Sequence, residues 1–471
     1  MSLNSYFQIK DHNSTITREI TGGLTTYLAL SYIIFVQPAI LANCGMDKSA
    51  VLFATCLCSA LACFIMGLWA KLPFALAPAM GHNIFFAFTV CGPTAFGFSW
   101  QEALAANLIA GALFLLVSLL GLRNIIMNAI PESLKFAIAA GIGLFISLLG
   151  LEWAGIVVAS PATYVTLGKL IHPVPLLSIF GLLVIGVLLA LRFRAAILVG
   201  MILTALAGYF ATQHLGADWS FKLVQYSTNP EFPHVAATAG KVFTQGLPSL
   251  FSHNLQTVAL IVFIFLLLDV FDTIGTLVGL GARAGLMQNG QLPRAQQALL
   301  ADACGTIAGS IMGTSTITSY VESSAGIAAG ARTGLASIVT GILLLASIAA
   351  YPFIETFGAA IPIPAADLHL NAAAAPDADI SCYPIIAPVL IIIGCYMLSV
   401  IRHIDWDDFS EALPAFLTIV IMQCSMSITD GIIWGFTSYA AIKILTLKPH
   451  KCPLTVYLCA ILFVLYYIFG R

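Results

Sequence analysis

The stretch Gly313–Gly326, GTSTITSYVESSAG, places seven Ser and Thr residues and one carboxylate, Glu322, within fourteen positions. It interrupts one of the apolar stretches that recur along a chain of 471 residues, 60% hydrophobic and 8% charged. Glycine and β-branched hydroxyl residues weaken a helix and free backbone N–H and C=O groups. At membrane depth such groups are tolerated only where protein or a water-filled cavity satisfies them. The stretch therefore reads as the lining of a polar site inside a polytopic membrane protein.

An echo of this stretch lies in the first half of the chain. The segment PFALAPAMGHNIFFAF, from Pro73, is broken by Pro73, Pro78 and Gly81. Between about 21 and 469, hydropathy and helix breakers divide the chain into fourteen apolar segments, seven plus seven. The two broken segments are third and tenth, at matching places in the halves. Seven segments per half is odd, so the second half must enter the membrane inverted, and paired interruptions in inverted repeats point to a transporter's central site. The sequence thus predicts an all-α polytopic membrane protein of two inverted repeats. Its parts are a cytoplasmic segment 1–20, a first repeat 21–211, an extracytoplasmic loop 212–255 and a second repeat 256–471.

The first apolar segment follows Lys10 and Arg18 without a small-residue cleavage site and is expected to be retained. With the amino terminus cytoplasmic, Lys10, Arg18, Lys71, Arg123, Lys135, Arg192, Arg194, Arg283, Arg294, Arg332, Arg402 and Arg471 fall inside, and Lys48, Lys169, Lys222 and Lys241 fall outside. Lys443, Lys448 and Lys451 break this pattern, because the count of fourteen puts them outside; the segment 411–445 is overlong, and two part-spans are the alternative reading of it. The loops Leu151–Pro173 and Ala211–Leu255 are too short for domains, and Phe357–Pro384 reads as a low-complexity linker. The eleven cysteines lie mostly in apolar segments; Cys56 and Cys58 point to different helix faces, so no metal pair is expected. Neither HExxH nor the Walker lysine motif occurs, and no GxSxG stands in a strand–turn–helix context, which argues against an enzyme or a primary pump.

Asp269, Asp272, Asp302, Glu322 and Asp430 lie in or near the apolar segments, while every Lys and Arg maps to a loop or a segment end. An acid at the bilayer centre costs about 2.5 to 3.5 kcal/mol, so these acids are expected to face the bundle interior. There a carboxylate can bind a proton, hold a cation or accept N–H donors. Each option suits a cation-coupled carrier of a neutral solute bearing N–H groups. Asp269 and Asp272 are three apart on one helix face, with Thr276 a turn after Asp272, and two crowded acids suit proton exchange. Asp430, near a TDG break, reads more simply as a structural hydrogen-bonding group. His82 is the only mid-segment histidine of nine; it could bond a heterocycle, titrate, or rest as a satisfied interior residue.

At these residues the chain resembles the AzgA-like purine permeases, a branch of the nucleobase-cation symporter-2 superfamily. The likeness runs from about Glu19 to Lys443. It is carried by GGLTTYLALSYIIFVQPAIL from Gly22, PFALAPAMGHNIFFAF from Pro73, DVFDTIGTLVG from Asp269, ALLADACGTIAGSIMGTSTITSYVESSAGIAAGARTG from Ala298 and PAFLTIVIMQCSMSITDGI from Pro414.

The resemblance implies a uracil-permease-like fold with short strands in segments three and ten. It also implies a core of about 21–122 plus 256–357 and a gate of about 133–211 plus 383–469. The base would be held by Asp272 and Glu322, with Asn83, His82, Thr318 and Ser319 beside it, and Asp302, Asp269 and Thr276 would serve coupling. Hydroxyls and freed backbone groups would read the purine edge.

The implied function is proton symport of adenine, hypoxanthine or guanine across the cell membrane, with neither metal nor cofactor. A uracil or xanthine carrier and an uncoupled facilitator are the alternatives. Base, proton and bilayer are the expected partners, nucleic acid is not, and a homodimer is admitted without being required. The family often has Asn where this chain has Gln37, Leu where it has His82 and Pro where it has Gln423.

Overall fold

The computed structural model describes residues 3–93, 95–120, 130–160, 163–215, 221–224, 234–288, 292–370, 379–446 and 452–469. Arg123, Lys448, Lys451 and Arg471 lie outside the described residues.

Short turns aside, the helices are α1 (Ile16–Leu30), α2 (Ile33–Ala42), α3 (Lys48–Ile65), α4 (Met80–Ile84), α5 (Trp100–Leu119), α6 (Glu132–Trp153), α7 (Pro173–Ala190) and α8 (Ala196–Leu215). They continue as α9 (Leu255–Arg283), α10 (Ala295–Met312), α11 (Ser323–Ala328), α12 (Gly334–Ala346), α13 (Ala387–Leu398), α14 (Phe409–Ser425), α15 (Ile428–Leu445) and α16 (Leu454–Phe469). Among the described residues, seven continuous helical stretches are long and apolar enough to cross a membrane, and shorter apolar helices accompany them.

Helix starts are marked by side-chain caps. Asp47 accepts from the Ala50 N–H at the start of α3, and Ser99 forms a reciprocal capping box with Glu102 at the start of α5. The chain packs as two groups. In one, α12 meets α1 and α3, α3 meets α10, and α9 and α10 meet α5; in the other, α6 meets α13 and α14, and α14 meets α15. Close approach rests on glycine: a Cβ at Gly334 would sit 2.1 Å from the Gly67 carbonyl oxygen.

Both broken segments are strand followed by helix. Strand β1 (Leu76–Pro78) leads into α4, which widens into a π-type turn over Phe85–Val90. Strands β2 (Val157–Ser160) and β3 (Tyr164–Leu167) form a hairpin in the loop after α6, and β4 (Ile317–Ser319) leads into α11. Strands β1 and β4 pair antiparallel, with Leu76 opposite Ser319, Ala77 opposite Thr318 and Pro78 opposite Ile317.

Two expectations are corrected. The segment 411–445 is not one span but two antiparallel helices, α14 and α15, joined at Met426, which takes a left-handed φ of 50°. Lys443 Nζ lies 2.7 Å from Glu411 Oε1, so it shares an end of the bundle with the start of α14, just after Arg402. That removes Lys443 as an exception to the charge pattern, and the added helix means the described segments do not reproduce a count of fourteen. The excess length of 411–445 and its TDG break point to such a division, and the turn falls just ahead of that break.

Nor is Phe357–Pro384 a structureless linker. Strands β5 (Ile361–Pro364) and β6 (Asp379–Cys382) pair, and Ile361, Ile363, Leu368 and Cys382 are buried with Val158, Val174, Leu177 and Leu223. The IPIP alternation carried that signal, with Pro362 and Pro364 turned outward.

Candidate functional site

Where β1 and β4 meet, the backbone groups freed by the broken helices find partners. The Ala79 N–H donates to the Thr316 carbonyl at 3.0 Å and the Tyr320 N–H to the Ala75 carbonyl at 2.9 Å, extending the ladder beyond both strands. The Ala75 N–H donates to Ser323 Oγ at 2.9 Å. The Tyr320 hydroxyl donates to the Pro78 carbonyl at 2.7 Å. These bonds let a non-helical crossing persist in apolar surroundings.

The hydroxyl run divides into two parts with different duties. Thr314 meets Thr55 at 3.1 Å, and Gln37 Nε2 donates to Thr314 and Ser315 at 3.1 and 3.0 Å. Ser315 donates to Asn83 Oδ1, and Thr316 to Asn107 Oδ1, whose amide in turn donates to Ser310 at 2.9 Å. All of these side chains are buried, so they staple segments one, two, three, four, nine and ten together. Asn83 and the first three hydroxyls of the run are thus committed to this staple, which revises the expectation that the whole run faces a solute. Gln37, in place of the family's Asn, is part of the same network.

The second part of the run faces acids. Thr318 donates to Asp272 Oδ2 at 3.2 Å. Ser319 Oγ lies 2.5 Å from Thr276 Oγ1, while its N–H donates to Asp302 Oδ2 at 3.0 Å. Thr273 donates to the same Asp302 oxygen at 2.9 Å. Asp302 Oδ1 and both oxygens of Asp269 make no hydrogen bond of ordinary geometry among the described residues. Asp269 nevertheless lies close to Asp302, Thr306 and Asp272. Asp269 and Asp302 are 1% and 0% exposed, a sealed pair of acids from α9 and α10.

Asp272 and Glu322 differ from that pair. Both are ringed by protein, yet Asp272 is exposed and Glu322 half-buried, so solvent-reachable space opens beside them. Glu322 Oε1 accepts from the Tyr32 hydroxyl at 2.7 Å, and the Tyr32 and Tyr320 rings lie 6.4 Å apart. The structure therefore brings Asp272, Glu322, Thr318, Ser319, Thr276, Asp302 and Asp269 into one neighbourhood at the β1–β4 crossing.

His82 is buried; it bonds the Phe265 backbone, while Nε2 lacks a partner among the described residues. No hydrogen bond joins it to Asp272 or Glu322. Gln423 instead donates to the Gly141 carbonyl on α6 at 2.8 Å. Asp430 accepts from Tyr467 at 2.7 Å and receives the Ser427 cap at its N–H, away from the crossing. Among the described residues, no group of His, Cys, Asp and Glu could hold a metal ion.

Sequence reasoning missed Tyr32, Tyr320 and Asn107. Tyr32 carried a signal, a phenol five residues before Gln37 in an otherwise apolar run; the other two become visible only once segments from opposite halves are adjacent.

Comparison with known proteins identifies the family and the fold. The model of the xanthine/uracil permeases, described as a permease family, matches residues 17–367. The guanine/hypoxanthine permease PbuG of Bacillus subtilis is 40% identical, over 99% of this chain and 100% of its own. The adenine permease AdeP of Escherichia coli is 38% identical, over 99% of this chain and 96% of its own.

Among solved structures, the transmembrane domain of the cyanobacterial bicarbonate transporter BicA superposes with a TM-score of 0.57 at 15% identity, covering 89% of this chain and 96% of that one. SLC26A9 gives 0.59 at 11% identity, covering 93% of this chain and 66% of that one. These two likenesses speak for the fold, which is the uracil-permease-like one. Permeases are transporters, not enzymes, and the chain belongs to the xanthine/uracil permease family as a multi-pass membrane transporter.

Proposed function

We propose that the protein imports purine nucleobases, adenine or hypoxanthine and guanine, by proton symport. The observation that carries this reading is the contrast between two reachable carboxylates, Asp272 and Glu322, and two sealed ones, Asp269 and Asp302, around a single strand crossing. A purine offers N–H donors and ring acceptors but no net charge. The carboxylates of Asp272 and Glu322 accept its N–H groups, and Thr318 stands beside Asp272 to orient that contact. The names of PbuG and AdeP, similar over nearly the whole chain, support a purine as the solute.

In this reading the proton travels on the sealed acids. A charge on Asp269 or Asp302 has few donors to compensate it, so neutralisation by a proton lowers the cost of burial. Ser319 couples the two sites, its N–H on Asp302 and its hydroxyl on Thr276, one helical turn from Asp272. Transport then consists of a core, 21–122 plus 256–357, moving as a body against a gate, 133–211 plus 383–469, in the elevator manner, within the cell membrane and with the amino terminus cytoplasmic.

The test is Glu322→Gln in protein shown to be folded and inserted. Uptake and base binding are expected to be lost, and normal transport by that variant contradicts the assignment.

A further inference from the structure

A second cavity lies away from the strand crossing, at the end of the bundle where α14 turns into α15. It holds about 360 Å³ and is lined from one side by Phe96, Phe98 and His253, and from the other by Thr429, Asp430 and Tyr466. That volume falls within the range of small-molecule sites. This end is opposite the one holding Lys443 and Glu411, and by the expected sidedness it is the outer face.

Its walls suit a flat, neutral heterocycle. Phe98 and His253 stack with ring centroids 4.2 Å apart and planes within 21°, and Phe96 and Tyr466 meet as a tilted pair with centroids 6.0 Å apart, so two aromatic pairs form part of the wall. His253 is fixed by Glu102 Oε1 at 3.0 Å, which holds the stack in place. The polar lining is mixed: hydroxyls of Thr257, Ser427 and Thr429, the amide of Asn254 and one acid, Asp430. Thr429 is 2% exposed, and its hydroxyl has no partner among the described residues. A buried hydroxyl without a partner costs free energy that a ligand able to donate or accept recovers. With no Arg or Lys among the described residues of the lining, an anion is disfavoured.

We propose that this cavity is a second, outer-face binding site for a purine base on its way to the strand crossing. The base stacks against the aromatic walls and bonds Thr429 and Asp430. The inference rests on the purine reading above but concerns different residues.

It is tested by equilibrium dialysis of radiolabelled adenine, and separately hypoxanthine, against the purified full chain in lipid nanodiscs. Wild type is expected to bind two equivalents. Glu322→Gln is expected to retain one, which Thr429→Val and Tyr466→Leu, each added to Glu322→Gln, weaken at least fivefold. Melting temperatures confirm that the variants are folded.

A single equivalent in wild type that disappears in Glu322→Gln overturns the second site while leaving the central one intact. Residual binding indifferent to both added substitutions also overturns it. Absence of any purine binding by folded wild type overturns the purine reading and this inference together.

Discussion

The Tyr32 hydroxyl donates to Glu322 Oε1 at 2.7 Å across 290 residues of sequence, tying the first membrane segment of one repeat to the tenth in the other. The bond fixes one carboxylate oxygen, and under the proposed function the other accepts from the base. A hydrogen bond to a charged group contributes about 1.5 to 3 kcal/mol. Tyr32→Phe is therefore expected to weaken base binding about tenfold or more without loss of fold, as read by dialysis and by the melting temperature of the same preparation.

Asp302 offers a separable prediction. Asparagine can still accept from Thr273 and from the Ser319 N–H, so Asp302→Asn preserves the local bonds while removing the proton site. Counterflow exchange of labelled base is expected to persist, and gradient-driven accumulation to fail. Unchanged accumulation in Asp302→Asn would take the proton off this residue.

Asp272→Asn should behave differently, because Asp272 is reachable and stands where the base would sit. Both exchange and accumulation are expected to fall by an order of magnitude or more, because asparagine can still accept from Thr318 but presents an NH2 donor where the base needs a second acceptor oxygen. Retained exchange would separate Asp272 from base binding.

Packing yields a prediction independent of transport. A Cβ at Gly334 would lie 2.1 Å from the Gly67 carbonyl oxygen, and backbone cannot give way as a flexible side chain can. Gly334→Ala is expected to cost about 1 to 3 kcal/mol, the range for overpacking, and to lower the melting temperature in detergent. A melting temperature equal to wild type contradicts the close approach of α12 to the end of α3.

The β5–β6 hairpin can be probed by its cysteine. Cys382 is fully buried, and burial pushes its thiol up to about 12. The thiolate is the reactive form, so at neutral pH Cys382 should resist maleimide labelling. Opening the small core with Ile363→Asp should expose it, as peptide mass spectrometry at the same neutral pH would show. Rapid labelling of the native chain at neutral pH contradicts the docked hairpin.

The elements that broke a rule loudly were legible in the sequence. GTSTITSYVESSAG and PFALAPAMGHNIFFAF each violate helix chemistry inside an apolar run, and the structure pairs them strand to strand. Asp272 and Glu322 stood out as acids with no cation nearby, the resemblance is what singled them out for the base, and the structure brings both to the strand crossing. What escaped was information shared between distant segments. Asn83 looked available to a solute, yet Ser315 occupies its carbonyl oxygen, because α4 and the run before β4 face each other only after the halves interlock. The Asp269–Asp302 proximity joins two helices and has no spacing to betray it. The division of 411–445 was legible from its length, but the corner itself was not, because Met426 adopts a left-handed conformation that its residue type does not advertise.

The central claim is tested most directly by purified protein in proteoliposomes given equal amounts of differently labelled adenine, hypoxanthine, guanine and uracil, with and without an inward proton gradient. One or more purines are expected to accumulate above equilibrium only when the gradient is imposed, and Glu322→Gln is expected to abolish this. Uptake that merely equilibrates regardless of the gradient, or that favours uracil over every purine, would contradict it.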